Sequence, residues 1–315
     1  MVAICPAGQL VWGMQLPVQS KSKTFAEPWE IDAGPGELLA VTKAVEGAGG
    51  FYVAVCDHTA IPNDAVGQHM RTTWYDTWTT LGWLAAATER VYLMSHVSIV
   101  SYKHPLFTAK SVCTLDALSN GRAILGVGAG HLEGEFDVLG IDFASRGRLL
   151  DEALPVVIKA LEDEFPDAGG AFNISGQIGI APRPVQSPRP PVWVGGSSAA
   201  AIRRAATMGD GWLPQGTPKG EMKPFLDSLA QQRDATGRHP AEAGAITDWI
   251  YVGEPGWDTG GRPLLSGKPD EIAASLREYG EMGVAHLQVR FPSRTLSELT
   301  DQIAAFGAEV APLLR

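Results

Sequence analysis

The 315-residue sequence has few cysteines and an excess of acidic over basic residues. Its three cysteines, Cys5, Cys56 and Cys113, are too few and too scattered for a disulfide framework or a cysteine-based zinc site. Lysine and arginine total 25 against 35 for aspartate and glutamate, which gives a net charge of −10. With no basic cluster to offset that charge, we expect neither a nucleic acid nor an anionic membrane as partner, and a small-molecule substrate instead.

A long apolar run is also missing. No uninterrupted apolar stretch is long enough to span a bilayer, and the first residues, MVAICPAGQL, lack both a basic start and a long apolar segment. We therefore expect no signal peptide and no membrane helix. The few cysteines agree with a reducing compartment, so the expected location is cytoplasmic.

Strand patterns alternate with helical patterns along the whole chain. Eight strands are predicted, at Leu10–Leu16, Phe51–Cys56, Val91–Val100, Ala123–Val127, Val192–Val194, Gly211–Leu213, Ile246–Val252 and Ala285–Val289. Such alternation requires parallel pairing through right-handed crossovers. With eight units and no linker between halves, we expect a single α/β domain over residues 1–315, a closed (β/α)8 TIM barrel, in preference to a doubly wound open sheet. Residues 162–191, rich in Gly and Pro, are expected to be an insertion after the fourth strand-helix unit that forms a hairpin or covers the mouth.

Four neighbouring strands end in polar or bare residues. These ends are Asp57-His58 after the second strand, Ser95-His96-Val97 on the third, Gly128-Ala129-Gly130-His131 after the fourth, and Gly195-Gly196-Ser197-Ser198 after the fifth. The carboxyl ends of barrel strands meet at one face, where active sites lie. Glycines let the backbone approach a ligand, and a following helix N-terminus suits a phosphate. The pattern predicts one site for a small ligand at this mouth.

Several longer blocks carry a family resemblance. VWGMQL, VCDH, RVYLMSHVSIVSYKHP, GRAILGVGAGHLEGEFDVLG and PPVWVGGSSAAAIRRAATMGDGWLP occur in order and resemble the bacterial luciferase-like superfamily, most closely its branch that uses the deazaflavin coenzyme F420. The resemblance implies a (β/α)8 barrel, a flavin-type two-electron cofactor, hydride-transfer or monooxygenase chemistry, and frequent homodimerisation.

The resemblance also assigns roles to the strand ends. It places Asp57 at the edge of the deazaflavin ring and His58 near the reacting carbon, where an imidazole of pKa about 6.5 suits proton handling. It makes Ser95, His96 and Val97 the segment that often contains a non-prolyl cis peptide against the ring face. The remaining cofactor-binding residues that it implies are Gly128, Ala129 and Gly130 along the ring, and Gly195, Gly196, Ser197 and Ser198 around the phosphate.

His131 departs from the pattern of the sugar-phosphate dehydrogenases of this branch. Those enzymes carry an acidic glutamate at the matching position, and Pro62 stands where they have an aromatic residue. Their basic residues for the substrate phosphate have no clear counterpart, so sugar-phosphate oxidation is not expected. His131 is interpreted either as a second proton-handling catalytic residue or as a polar residue at the cofactor rim.

Four functions remain open from the sequence. The first is an F420-dependent oxidoreductase with His58 and His131 as catalytic residues. A close variant is a monooxygenase that uses FMN reduced by a separate reductase. The others are a metal-dependent hydrolase with His58, His96 and His131 as zinc ligands, which no paired-ligand spacing supports, and a flavin-binding protein without turnover. Pocket walls are expected from the loops at 57–73, 163–190 and 254–267.

Overall fold

Eight parallel strands close into a barrel in the computed structural model, which describes residues 3–314. The barrel strands are β1 Val11–Gln15, β2 Tyr52–Val55, β3 Tyr92–Ser95, β4 Ala123–Gly128, β5 Val192–Gly195, β6 Gly211–Leu213, β7 Glu242–Ile246 and β8 Val284–Val289. Each strand pairs with the next along the chain, and β8 pairs with β1 to close the ring. The predicted (β/α)8 barrel is therefore confirmed.

One principal helix follows each strand and packs on the outside of the barrel. These helices are α1 Pro35–Gly47, α2 Thr77–Ala85, α3 Pro105–Leu118, α4 Arg146–Glu162, α5 Ala199–Thr207, α6 Met222–Asp234, α7 Pro269–Glu281 and α8 Leu296–Ala305. Three of them begin with proline, whose missing N–H has no helical partner at that position anyway. Two short helices, Gly67–Met70 and Glu133–Val138, lie in the loops after β2 and β4. Among the helices of residues 3–314, none is long and apolar enough to cross a membrane.

The seventh strand was predicted at the wrong place. The apolar segment Trp249–Val252 leaves the barrel and pairs with Leu264–Gly267 in a separate two-stranded sheet, whereas the barrel strand is the alanine- and glycine-rich Glu242–Ile246. The reason lies inside the barrel, because a Cβ on Gly244 would lie only 2.2 Å from the His286 ring. Because β7 must leave room for the His286 ring, it carries small side chains, and its sequence lacks the apolar pattern that predicts a strand.

Aromatic rings fill the lower part of the barrel. Trp193 stacks on His286 with ring centroids 4.1 Å apart, and Tyr52 meets both rings edge-on. Glycines make room for them, since a Cβ on Gly13 would lie 2.5 Å from Tyr52 and one on Gly211 would lie 2.4 Å from Trp193. The interior is thus a packed core, and a ligand has access only at the mouth.

The insertion between α4 and β5 forms the expected hairpin, in which Asp167–Gly169 pairs antiparallel with Ile174–Ser175. The segment that follows packs along the outer helices. The Arg183 guanidinium donates to carbonyl oxygens at the end of α4, and the Asp116 carboxylate on α3 accepts the backbone N–H of Val185 at 2.7 Å. These contacts hold the insertion against the side of the barrel.

Candidate functional site

Asp57 lies at the carboxyl end of β2 and is fixed from the neighbouring strand. Its Oδ2 accepts the Ser98 hydroxyl at 3.1 Å and the Ile99 backbone N–H at 3.0 Å. Burial raises the pKa of Asp57, although both hydrogen bonds act in the opposite direction. Oδ1 has no hydrogen-bond partner within residues 3–314, so this oxygen is available to a ligand at the mouth.

His58 is held by a carboxylate that the sequence analysis missed. Its Nδ1 lies 2.9 Å from Oε2 of Glu135, which belongs to the short helix Glu133–Val138 after β4. Glu135 also accepts the Tyr102 hydroxyl at 2.8 Å and the backbone N–H of Ala60 at 3.1 Å, and its side chain is fully buried. Burial opposes ionisation of Glu135, but the hydrogen bonds from His58, Tyr102 and Ala60 outweigh it and lower its pKa.

When the His58 ring is neutral, the ionised Glu135 fixes its tautomer. A carboxylate only accepts hydrogen bonds, so Nδ1 of His58 carries the proton and Nε2 is left as the free acceptor. Trp74 packs against the ring, with centroids 4.4 Å apart. The imidazole is therefore oriented on both sides, as a proton-handling residue requires.

The structure places the His131 ring beside His58. The two centroids are 5.5 Å apart and the rings meet nearly perpendicular, with His131 exposed at the mouth. Partial burial and the neighbouring His58 lower the pKa of His131. The Glu135 carboxylate acts in the opposite direction but does not cancel this shift. Both histidines that the sequence predicted to be catalytic thus lie at one point of the mouth.

A non-prolyl cis peptide joins His96 to Val97, which confirms the expectation for this segment. The cis bond separates β3 from a short continuation, Ser98–Ile99, that pairs with the end of β4. The Val97 side chain lies between two strand ends, because a Cβ on Gly128 or Gly195 would approach its methyl groups to 2.5 or 2.6 Å. These two glycines make room for Val97, which forms an apolar surface in the half of the mouth built by the ends of β2 to β5.

Ser95 and His96, the other two residues of the predicted third-strand segment, are buried in the barrel. Ser95 is buried and its hydroxyl donates to the Gly126 carbonyl at 2.9 Å. The His96 ring is buried, and within the described chain neither ring nitrogen has a hydrogen-bond partner. Burial lowers the pKa of His96 to about 4, so the ring is neutral at physiological pH. The His96 imidazole is therefore buried in the barrel and is not exposed at the mouth.

Two glycine turns complete this half. Beyond Gly128 and Ala129, Gly130 has φ +82° and a Cβ there would lie 2.7 Å from the Phe136 ring. After β5, Gly195 leads into Gly196 at φ +97°, and the Ser198 hydroxyl accepts the Ala201 N–H at 3.2 Å as the N-cap of α5. α5 thus begins directly after the end of β5, and a helix N-terminus at the mouth suits a phosphate.

A cavity of about 520 Å³ occupies the other half of the mouth. Strands β1, β7 and β8 and the loops at 17–30 and 215–219 line it. Gln15 links it to β2 through a hydrogen bond from Nε2 to Cys56 Sγ at 3.0 Å, and Thr217 links it to Ser197 at 2.7 Å. The expected pocket walls were mostly wrong for this cavity, since the loops at 57–73 and 163–190 do not line it and 254–267 contributes only Pro263.

The three histidines considered as zinc ligands do not form a shared site. His58 and His131 are neighbours, whereas His96 is buried in the barrel interior near His286. Over residues 3–314, no group of three His, Cys, Asp or Glu side chains is placed to hold a metal ion.

The closed (β/α)8 barrel gives the fold class of the chain, and a sequence match gives its family. The structure has the (β/α)8 form of the luciferase-like enzymes, with the strand-end residues on one face. A sequence model described as luciferase-like monooxygenase matches residues 13–250, and the chain belongs to that family.

Individual relatives are distant. The uncharacterized protein Rv0953c of Mycobacterium tuberculosis is 28% identical over 254 residues, covering 80% of each protein. Among solved structures, monooxygenase RslO1 from Streptomyces bottropensis superposes with a TM-score of 0.79 at 21% identity, over 96% of this chain and 99% of that one. The coenzyme F420-dependent tetrahydromethanopterin reductase from Methanopyrus kandleri gives 0.74 at 19% identity, over 98% and 100%.

A monooxygenase constituent solved with FMN superposes with a comparable TM-score. The oxygenating constituent of 3,6-diketocamphane monooxygenase from Pseudomonas putida, solved with FMN, has a TM-score of 0.75 at 14% identity, over 97% of this chain and 99% of that one. At such identities the superpositions show a shared fold.

Proposed function

We propose that this protein is an oxidoreductase that transfers a hydride between the deazaflavin coenzyme F420 and a small organic substrate. The observation that carries the proposal is the pairing of His58 with the buried Glu135 beside the Val97 surface. An oriented imidazole near an apolar strand end is suited to moving a proton while a planar ring exchanges two electrons.

The residues at this half of the mouth fit such a cofactor. Gly128 and Gly195 make room for the Val97 side chain, and a Cβ at either position would collide with its methyl groups. Asp57 offers a free carboxylate oxygen to an N–H of a ring edge, and the start of α5 with Ser197 offers donors to a phosphate. When bound, the deazaflavin would supply or accept the hydride.

Each residue then has a defined task. Val97 and the two glycines position the ring face, while Asp57 holds the ring edge. His58, with its Nε2 free, takes a proton from the substrate or returns one, and Glu135 stabilises the charged imidazole. His131 is the second group within reach for proton exchange with solvent, because its ring is exposed next to His58.

The second candidate is a monooxygenase that uses FMN reduced by a separate reductase. It is favoured by the similarity to the FMN-bound monooxygenase constituent from Pseudomonas putida. The same Val97 surface and phosphate-binding turn would serve FMN. The free oxygen of Asp57 favours the deazaflavin in our interpretation, since this Asp-His pair resembles the one beside the F420 ring.

A binding titration separates the two candidates. Purified protein is titrated with oxidised F420 and, separately, with FMN while cofactor fluorescence is followed. We expect micromolar or tighter binding of F420 alone. Asp57→Asn should weaken it about tenfold or more, whereas Asp270→Asn, at an exposed position in α7, should leave it unchanged. A preference for FMN would favour the monooxygenase, and binding of neither would overturn both candidates.

A further inference from the structure

We infer that the cavity between β1, β7 and β8 is the substrate chamber and that its substrate is a neutral, mostly apolar molecule carrying a hydroxyl group. The role as a substrate chamber rests on the proposed function. The chemical class of the occupant follows from the cavity walls, and its test needs no cofactor.

The cavity and the proposed cofactor site, at the ends of β2 to β5, lie at the same mouth of the barrel. Around the barrel, β1 adjoins β2 and the loop after β6 adjoins the end of β5. The Gln15–Cys56 and Ser197–Thr217 hydrogen bonds cross these two borders. A molecule in the cavity is therefore enclosed by the strands that flank the His58 and Val97 half. A volume of about 520 Å³ suits a molecule of drug-like size or smaller.

The charged groups of the cavity wall are already compensated. Glu27 pairs with the Arg262 guanidinium, and the Lys219 ammonium pairs with Glu278 at 2.6 Å. Glu30 accepts the backbone N–H of Val18 at 2.9 Å, and burial raises its pKa to about 6. None of these three groups needs a charged ligand.

The two remaining charges of the wall, Arg290 and Asp248, have opposite signs. The Arg290 guanidinium donates from Nε to the Thr247 carbonyl at 3.2 Å and lies 5.1 Å from the Trp249 ring, and burial lowers its pKa while the nearby Asp248 carboxylate acts against this. Because one cation and one anion remain on this wall, its charge selects neither an anionic nor a cationic substrate.

Apolar side chains supply most of the contact surface. Phe25 lines the rim, where 59% of its surface is exposed. Leu16, Pro17, Ile246, Trp249 and Phe291 continue the apolar lining inward. A hydrocarbon body inserted here would remove both the cavity surface and the Phe25 ring from water.

One polar group marks where a hydroxyl would bind. Gln288 lines the cavity with only 4% of its surface exposed, and its Oε1 has no hydrogen-bond partner in the described part of the chain. Its Nε2 reaches Gln15 Oε1 at 3.5 Å. Because a buried carbonyl oxygen without a donor is costly, a ligand hydroxyl that donates to Gln288 is favoured over a carbonyl at the same place.

The test is ligand-detected NMR titration of the purified protein with three matched probes, namely 4-tert-butylcyclohexanol, 4-tert-butylcyclohexanone and 4-tert-butylcyclohexanecarboxylate. We expect the alcohol to bind about tenfold or more tightly than the carboxylate, and several-fold more tightly than the ketone. Tighter binding of the carboxylate would overturn the inference in favour of an anion site at Arg290. Equal binding of alcohol and ketone would overturn the role of Gln288.

Three variants localise the binding. Phe25→Ser should weaken alcohol binding several-fold, and Gln288→Leu should weaken the alcohol but not the ketone. Leu118→Ser, at an exposed apolar position at the end of α3, is the matched control and should change nothing. If neither cavity variant changes alcohol binding, the inference fails. Alcohol binding that depends on Phe25 in a protein that binds neither F420 nor FMN would preserve the ligand class and overturn the proposed function instead.

Discussion

The imidazole of His58 and the carboxylate of Glu135, separated by 77 positions in the sequence, meet at 2.9 Å. The same carboxylate holds Ala60 through its backbone N–H and Tyr102 through its hydroxyl. One buried side chain thus joins the loop after β2 to the helix after β4. It fixes both the direction of the His58 ring and the loop that carries it.

Removal of the Glu135 carboxylate should destabilise the protein. In Glu135→Ala the His58 ring, the Ala60 N–H and the Tyr102 hydroxyl lose a fully buried acceptor, so we expect the free energy of unfolding to fall by about 3 kcal/mol in urea titrations. Glu133→Ala, at an exposed position on the same helix, should change it by less than about 0.5 kcal/mol. Similar losses in the two variants would contradict the role given to Glu135.

The same carboxylate should also affect turnover. Glu135→Gln retains an acceptor oxygen but loses the negative charge that stabilises a protonated His58. With a substrate found by a turnover screen, we expect its kcat to fall about tenfold to a hundredfold at nearly unchanged KM. The control is Glu133→Gln, assayed in the same way. A large rise in KM with normal kcat would assign Glu135 to binding.

The contact between Val97 and Gly128 can be tested by a double substitution. Gly128→Ala places a methyl group 2.5 Å from Val97 Cγ2 and should displace the Val97 side chain, weakening cofactor binding about tenfold or more. Adding Val97→Ala removes the collision, so the double variant should recover part of the affinity. Gly82→Ala, in α2 with open space around it, should have no effect. If Gly128→Ala binds F420 as well as the unmodified protein does, Val97 is not the ring surface.

Much of this arrangement could be predicted from the sequence because it is local. The strand-end residues Asp57, His58 and Val97 follow apolar strands directly, and parallel strands in a barrel bring their ends to one face. Glu135 was missed because a glutamate in a short polar helix gives no local signal. Its partners come from other loops, and only the closed barrel brings them together.

The seventh strand could not be predicted for a related reason. The continuous apolar run Trp249–Val252 is a genuine strand signal, but the segment pairs outside the barrel with Leu264–Gly267. The true β7 is depleted in apolar side chains because Gly244 lies against the ring of His286 from the neighbouring strand. Such a requirement is set by tertiary packing, which a local pattern does not contain.

The two buried histidines should make the protein sensitive to acid. Burial lowers the pKa of His96 to about 4 and that of His286 to about 3. In the unfolded chain both titrate near 6.5, so as the pH falls below that value only the unfolded state gains these protons. Their stabilising contribution is complete above about pH 6.5 and is lost progressively toward pH 4.

The substitution His286→Phe measures how much of this acid-induced loss of stability is due to His286. His286→Phe keeps a ring stacked on Trp193, and its unfolding free energy should depend less steeply on pH, by about 1.4 kcal/mol per pH unit between pH 6 and 4. His69→Phe, on the short helix outside the barrel, is the control and should leave the slope unchanged. An identical slope in the protein with His286 intact and in His286→Phe would contradict a neutral buried imidazole.

Two substitutions at Ser198 separate the stability of α5 from the binding of the cofactor phosphate. As the N-cap of α5, its loss in Ser198→Ala should cost about 1 kcal/mol of unfolding free energy. Ser198→Asp should keep the cap, and with it the stability, but should weaken F420 binding through repulsion of the cofactor phosphate. Binding of F420 by Ser198→Asp at full strength would place the phosphate elsewhere.

The most direct test of the central proposal is a crystal structure of the protein with oxidised F420. We expect density for the deazaflavin ring on the Val97 side chain, with the Asp57 carboxylate at its edge and the His58 ring still held by Glu135. The phosphate should lie at the start of α5. Density for the ring in the cavity between β1, β7 and β8, or a His58 ring turned away from Glu135 and the cofactor, would contradict it.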